Sequence, residues 1–118
     1  MILIIGGAAK GKLDYVLQKT GYAPDQVART QEEAKTLPIF DGVEAWPDLD
    51  EEELLSVNPN LILICDEVGC GVVPVDPAQR AWREQVGRLC CRLAKRAERV
   101  ERIFCGLPMV LKGEGPWN

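Results

Sequence analysis

The sequence predicts an α/β protein, a three-layer sandwich built on a mostly parallel sheet, and three observations predict it. Two short runs, Ile2-Leu3-Ile4-Ile5 and Leu61-Ile62-Leu63-Ile64-Cys65, are apolar throughout, as strands buried on both faces are. Each run is followed by a glycine-rich stretch and then by a helix-period pattern. Strand patterns alternate with helix patterns along the rest of the chain, which favours parallel strands joined by crossover helices.

The elements follow in order. After strand 2–5, a helix is expected from about Gly11 to Thr20, with Leu13, Val16 and Leu17 on one face and Gly21 as its stop. Residues 26–29 are a weakly patterned strand candidate and 31–36 a short helix candidate. Pro38-Ile39-Phe40-Asp41 reads as a short strand ending in an acid. Asp48 to Val57 reads as a helix with Asp48 or Asp50 as N-cap and acids in its first turn, where the helix dipole favours them. Asn58-Pro59-Asn60 ends it. Strand 61–65 leads into Asp66-Glu67 and a glycine-rich loop, and Asp76-Pro77 then starts a helix. Ala78, Trp82, Val86, Leu89, Leu93 and Ala97 recur there at spacings of three and four, which carries the helix to about Ala97. Residues 102–106 read as a strand and 108–112 as a last edge strand.

A chain of 118 residues fits a single domain, 1–118, of the usual size of roughly 100–150. No run approaches the ~20 apolar residues of a membrane span, and no basic segment precedes the first strand. The expectation is a cytoplasmic protein with no membrane partner. Five cysteines, an odd number in apolar surroundings, read as buried free thiols. With no histidine and no C-x-x-C pair, the sequence argues against a zinc site. A net charge of −4 argues against nucleic acid as a partner. The charges are segregated: ten acids and no base lie between Thr36 and Gln79, and eight of the 14 bases lie from Arg80 to Arg102. That pattern is either a partner surface or two segments that neutralise each other within the fold or across an oligomer. The second reading is favoured.

The first glycine-rich stretch carries chemistry. Gly6-Gly7-Ala8-Ala9-Lys10-Gly11-Lys12 fits G-x-x-x-x-G-K, the P-loop pattern, placed between a buried strand and a helix. Such a loop turns its amides inward onto phosphate oxygens, and the helix start adds partial positive charge. Gly6 to Gly11 would cradle the phosphates, with Lys12 reaching the β- and γ-phosphates. The next position should carry a hydroxyl for Mg²⁺, and here it is Leu13. The expected ligand is ATP or GTP, with Mg²⁺ held more weakly.

Asp66-Glu67-Val68-Gly69-Cys70-Gly71-Val72-Val73-Pro74 closely resembles the N/D-E-V-G-x-G-x-V-P signature of the adenosylcobinamide kinase/adenosylcobinamide-phosphate guanylyltransferase family. Arg80, Trp82, Arg83, Gly87, Leu93 and Ala94 sit where that family has an R-x-F-R-x-x-x-G-x-x-x-x-x-L-A helix. Gly106-Leu107-Pro108-Met109-Val110-Leu111-Lys112 looks like its closing G-x-P-x-x-L-K strand. Ile2 to Lys12 looks like its strand plus G-G-x-x-S-G-K-S loop, with Lys10 and Leu13 in place of both serines. The resemblance covers 1–12 and 61–112 and is weak between.

It implies a P-loop NTPase-type fold, a homotrimer, and a place in cobalamin biosynthesis. It further implies phosphorylation of the aminopropanol hydroxyl of adenosylcobinamide, followed by GMP transfer through a guanylylated histidine. This chain has no histidine, and the segment that carries it in the family looks deleted, so the second step by that route is not expected.

For the kinase step the expected residues are Lys12, Asp66 and Glu67, with Asp41 or Asp66 as the Mg²⁺ ligand. Asp41 resembles the family's h-h-h-D-C-L-T strand end, while Asp66 is the better local match to hhhhD-E. Glu67 would orient an acceptor hydroxyl or the metal's water shell. Arg80, Arg83 and Arg88 are either phosphate or corrinoid contacts or a solvated helix face. Trp46 and Trp117 are either stacking platforms or packing residues. The rival to a kinase is a non-catalytic nucleotide-binding or regulatory subunit that oligomerises.

Overall fold

The computed structural model describes residues 1–7, 11–67, 76–113 and 117. The elements are β1 (Ile2–Gly6), α1 (Lys12–Thr20), β2 (Val27–Ala28), α2 (Gln31–Ala34), β3 (Ile39–Asp41), α3 (Glu51–Val57), β4 (Ile62–Asp66), α4 (Pro77–Arg96), β5 (Arg99–Phe104) and β6 (Leu107–Lys112). They build one sheet of order β2-β3-β4-β1-β5-β6. All neighbours pair parallel except β6, which runs antiparallel on β5. This is the α/β sandwich with a mostly parallel sheet that the sequence predicts.

Alternation along the strands divides the interior into two cores, as period-two geometry requires. Leu3, Leu63 and Val100 pack with Leu54 and Leu55 of α3 and with Val86, Leu89 and Leu93 of α4. Ile4, Ile64 and Ile103 face the other way, onto Val16 and Leu13 of α1. Helices therefore cover both faces, and β1 lies centrally between β4 and β5.

Local signals set the helix ends. α1 stops at Gly21, whose φ of 77° is the left-handed conformation a side chain would disfavour. α3 takes Asp50 as its cap, the Oδ1 accepting from the Glu53 amide at 3.1 Å. α4 begins with Asp76 accepting from the Ala78 amide at 3.0 Å, with Pro77 in the first turn. Two 3-10 turns, Pro24–Gln26 and Val43–Ala45, complete the regular structure among the described residues.

Two expectations are corrected. β5 starts at Arg99, three residues before the predicted strand, because Glu101 is buried at 1% exposure instead of facing water. Its carboxylate accepts from Tyr15 Oη at 2.6 Å, from Arg99 Nε at 2.8 Å and from the Trp117 indole. Burial, with Glu101 beside it, pushes the Tyr15 phenol from 10.0 up to about 12. The cysteines also divide: Cys65 is buried and Cys90 half-buried, but Cys91 and Cys105 are exposed. Cys91 is one helical position past Cys90 and so turns off the core face, and Cys105 sits in the tight β5–β6 turn at φ 52°. Cys70 lies outside the described residues.

The charge segregation resolves within the fold. Arg92 Nε lies 2.7 Å from Glu51 Oε1 and Arg96 Nη1 lies 3.3 Å from Glu52 Oε1, so basic α4 lies against the acidic start of α3. Among the described residues no helix is long and apolar enough to cross a membrane.

Candidate functional site

The site forms where β1, β4 and β5 end together. Gly6 is in register with Asp66 on one side and Ile103 on the other. A Cβ at Gly6 would stand 2.7 Å from the Ile103 carbonyl oxygen and 3.1 Å from Lys12 Cδ, so only glycine lets the lysine stem lie against the strand end. The chain re-enters at Gly11, at φ 136°, and its carbonyl accepts from the Tyr15 amide at 2.9 Å to open α1.

Lys12, in the first turn of α1, is buried. Its Nζ lies 2.8 Å from Asp66 Oδ1 and also donates to the Gly7 carbonyl. The next residue, Leu13, is half-buried and packs on the Ile4–Val16 core, so the position of the expected hydroxyl is used for packing. Asp66 is held from its backbone, its amide donating to Glu44 Oε1 at 2.8 Å. Glu44 is fixed in turn by its carbonyl, which accepts from Trp82 Nε1 at 3.1 Å. Glu67 donates its amide to the Gly6 carbonyl, and its Oε2 accepts from Arg102 Nε at 2.9 Å.

Lys12, Gly6, Gly7, Asp66 and Glu67 are thus brought together where the central strands β1 and β4 end. Asp41 is set apart. It is in register with Ile64, two residues short of Asp66 along β4, and its carboxylate is paired with the Arg29 guanidinium. Ala8, Ala9 and Lys10, and the loop from Val68 to Pro74, lie outside the described residues. Arg88 pairs with Glu84 at 2.6 Å, on the exposed face of α4. Trp117 packs edge-on against Tyr15, with ring centroids 5.8 Å apart, and Trp46 packs on the α3–α4 core.

Glu44, Arg29 and Arg102 hold the acids in place and were not legible in the sequence. Glu44 sits in a 3-10 turn, Arg29 just past β2 and Arg102 within β5, so the partner of each is chosen by the sheet order. The available signal was parity: Arg102 alternates with Glu101 and Ile103 and so falls on the opposite face of β5.

Mg²⁺ is ordinarily held by one or two carboxylates together with phosphate oxygens and waters. Asp66 fits that demand, since its side chain keeps 35% exposure while one oxygen rests on Lys12. Among the described residues no cluster of three or more acidic or thiol groups would hold a metal unaided.

A central β1 that turns through Gly6 and Gly7 toward α1, with a buried lysine against the acid ending the neighbouring strand, defines a P-loop NTPase-type fold. Residues 43–111 match the family described as cobinamide kinase / cobinamide phosphate guanyltransferase, more than half of the chain. The chain belongs to this family. The matched span includes Glu44, Asp66, Glu67 and Arg102 and begins after Lys12 and Asp41. The bifunctional adenosylcobalamin biosynthesis protein CobP of Pseudomonas aeruginosa is 44% identical over 54 residues, covering 46% of this chain and 31% of that protein. The aligned stretch is thus about a third of that relative's length.

Proposed function

We propose that the protein binds ATP or GTP at the β1–α1 turn and transfers the γ-phosphate to the aminopropanol hydroxyl of cobinamide in cobalamin biosynthesis. The observation that carries the reading is the Lys12–Asp66 pair at the shared end of β1 and β4. Family membership and the likeness to CobP support the corrinoid acceptor.

The residues divide the work. Lys12 exchanges Asp66 for phosphate oxygens and places its charge where negative charge gathers during transfer. Gly6, Gly7 and Gly11, with the start of α1, supply backbone amides to the phosphates. Asp66, released from Lys12, is the carboxylate for Mg²⁺, which when bound neutralises β- and γ-phosphate charge. Glu67, steadied by Arg102, orients the acceptor hydroxyl. Asp41 is a weaker choice of metal ligand, because Arg29 already holds it. No histidine is present, so GMP transfer through a guanylylated histidine does not take place on this chain.

One observation favours a second reading, a nucleotide-binding subunit that does not turn over: Leu13 is committed to the core where the Mg²⁺ hydroxyl would stand. Self-association suits either reading, since β6 is an edge strand with Leu107, Met109, Val110 and Leu111 all exposed.

Calorimetric titration with Mg-ATP and Mg-GTP, followed by mass spectrometry of cobinamide incubated with the better ligand, tests the proposal. A phosphorylated corrinoid is expected, and lost in Lys12→Met. Binding without transfer selects the second reading. No binding of either nucleotide overturns both.

A further inference from the structure

Apart from the nucleotide site, the molecule holds a second cluster of reactive groups. Cys65 in β4 and Cys90 in α4 place their Sγ atoms 3.4 Å apart, close enough for one thiol to donate to the other. They come from the two sides of one core layer, Cys65 among the strand residues facing α4 and Cys90 on the helix beside Leu89 and Leu93. Cys65 has no exposed surface. Cys90 borders a cavity of about 320 Å³, lined also by Leu3, Ile5, Cys91, Ala94, Leu111 and Lys112, that opens between α4 and the β1, β5 and β6 face. An uncharged small oxidant can enter such an apolar opening and would meet Cys90 before Cys65.

We propose that Cys65 and Cys90 form an oxidation site for small hydroperoxides, with Cys90 the thiol attacked first and Cys65 the thiol that closes the disulfide. The Cys90 sulfur attacks the terminal oxygen of the hydroperoxide, forming an S–O bond as the O–O bond breaks. The leaving alkoxide or hydroxide takes up a proton and departs as alcohol or water. Cys65 then attacks the sulfenic sulfur: the S–S bond forms, the S–O bond breaks, and the hydroxide leaves as water with the Cys65 proton. Two thiols are oxidised to one disulfide while one hydroperoxide is reduced.

The order of attack follows from burial, since Cys65 is buried while Cys90 is half-buried and lines the cavity. Asp66 follows Cys65 in the chain, so the disulfide tethers to α4 the strand end that carries the partner of Lys12.

The test uses the full chain carrying Cys70→Ser, Cys91→Ser and Cys105→Ser, treated with hydrogen peroxide and measured as intact mass without reductant. The expected product is a monomer lighter by two hydrogens, with its Cys65 and Cys90 peptides linked, and restored by dithiothreitol. Adding Cys65→Ser should stop the reaction at a sulfenic acid on Cys90 that dimedone traps. Should the triple variant misfold, tandem mass spectrometry of the oxidised wild-type chain reads the same link. Two thiols still open to alkylation, a disulfide-linked dimer, a sulfenic acid on Cys65, or a wild-type bond made by Cys70, Cys91 or Cys105 in place of this pair would each overturn the proposal.

Discussion

Nζ of Lys12 lies 2.8 Å from Oδ1 of Asp66, and the two side chains differ in burial, 8% exposed for the lysine against 35% for the aspartate. The pair is therefore unequal. Asp66 left alone can be hydrated, whereas Lys12 left alone keeps a charge in a nearly dry position with the Gly7 carbonyl as its remaining partner. Asp66→Ala should cost about 2 kcal/mol, below the range for fully buried pairs because one partner is partly solvated. Lys12→Met, which retains the stem and removes the charge, should cost less than about 1 kcal/mol. Urea denaturation of both variants measures the difference, and a larger loss in Lys12→Met would refute the asymmetry.

The close approach at Gly6 gives a sharper steric expectation. A methyl group there meets backbone at Ile103, which cannot turn aside, and the stem of Lys12, which can. Gly6→Ala should lose about 2–3 kcal/mol, the upper part of the range for overpacked interiors. If nucleotide binds as proposed, affinity should fall as well, since the displaced stem carries the phosphate-binding charge. Gly7→Ala is the control, because among the described residues nothing lies within 4 Å of a Cβ there. Equal stabilities for the two variants, by thermal or urea unfolding, would remove the packing argument.

The sheet and its helices were legible because their signals are local. Ile2 to Ile5 and Leu61 to Cys65 are apolar without interruption, Gly21 and Asp76-Pro77 mark helix ends, and each became an element within a residue or two. Arg99 to Glu101 was not legible, because Glu101 reads as a solvent-facing charge until Tyr15 and Trp117, distant in sequence, are brought onto it. The site divides the same way. Lys12 follows from a motif and Asp66 from its strand end, but the Arg29 hold on Asp41 depends on β2 lying beside β3, a fact of topology.

The contacts between α3 and α4 should matter little to stability. Arg92–Glu51 and Arg96–Glu52 have good distances, but both arginines and Glu52 are largely solvated. Exposed pairs of this kind contribute about 0.2–1 kcal/mol and weaken with salt. Arg96→Ala should shift stability by no more than about 0.5 kcal/mol, with Arg92→Ala somewhat higher because Glu51 is more buried. Comparing both variants with the parent at low and high sodium chloride checks this, and a loss that salt does not reduce would assign the effect to packing of the arginine stems.

Alkaline pH should expose the Tyr15–Glu101 contact. The Tyr15 phenol is raised from 10.0 to about 12, first by burial and then by its hydrogen bond and charge contact with Glu101. A group whose folded value is raised favours its protonated form in the fold. Its contribution is complete below the unfolded value of 10.0 and fades as pH rises through about 12. The parent chain should lose stability across that window, whereas Tyr15→Phe, which has no phenol to ionise, should lose less. At neutral pH the order reverses. Phenylalanine leaves the buried Glu101 carboxylate short of one donor and should cost about 1.5–3 kcal/mol. Urea midpoints of the two proteins should therefore converge as pH rises from neutrality to about 12. A constant gap would mean that Tyr15 ionises equally readily in the folded and unfolded chains.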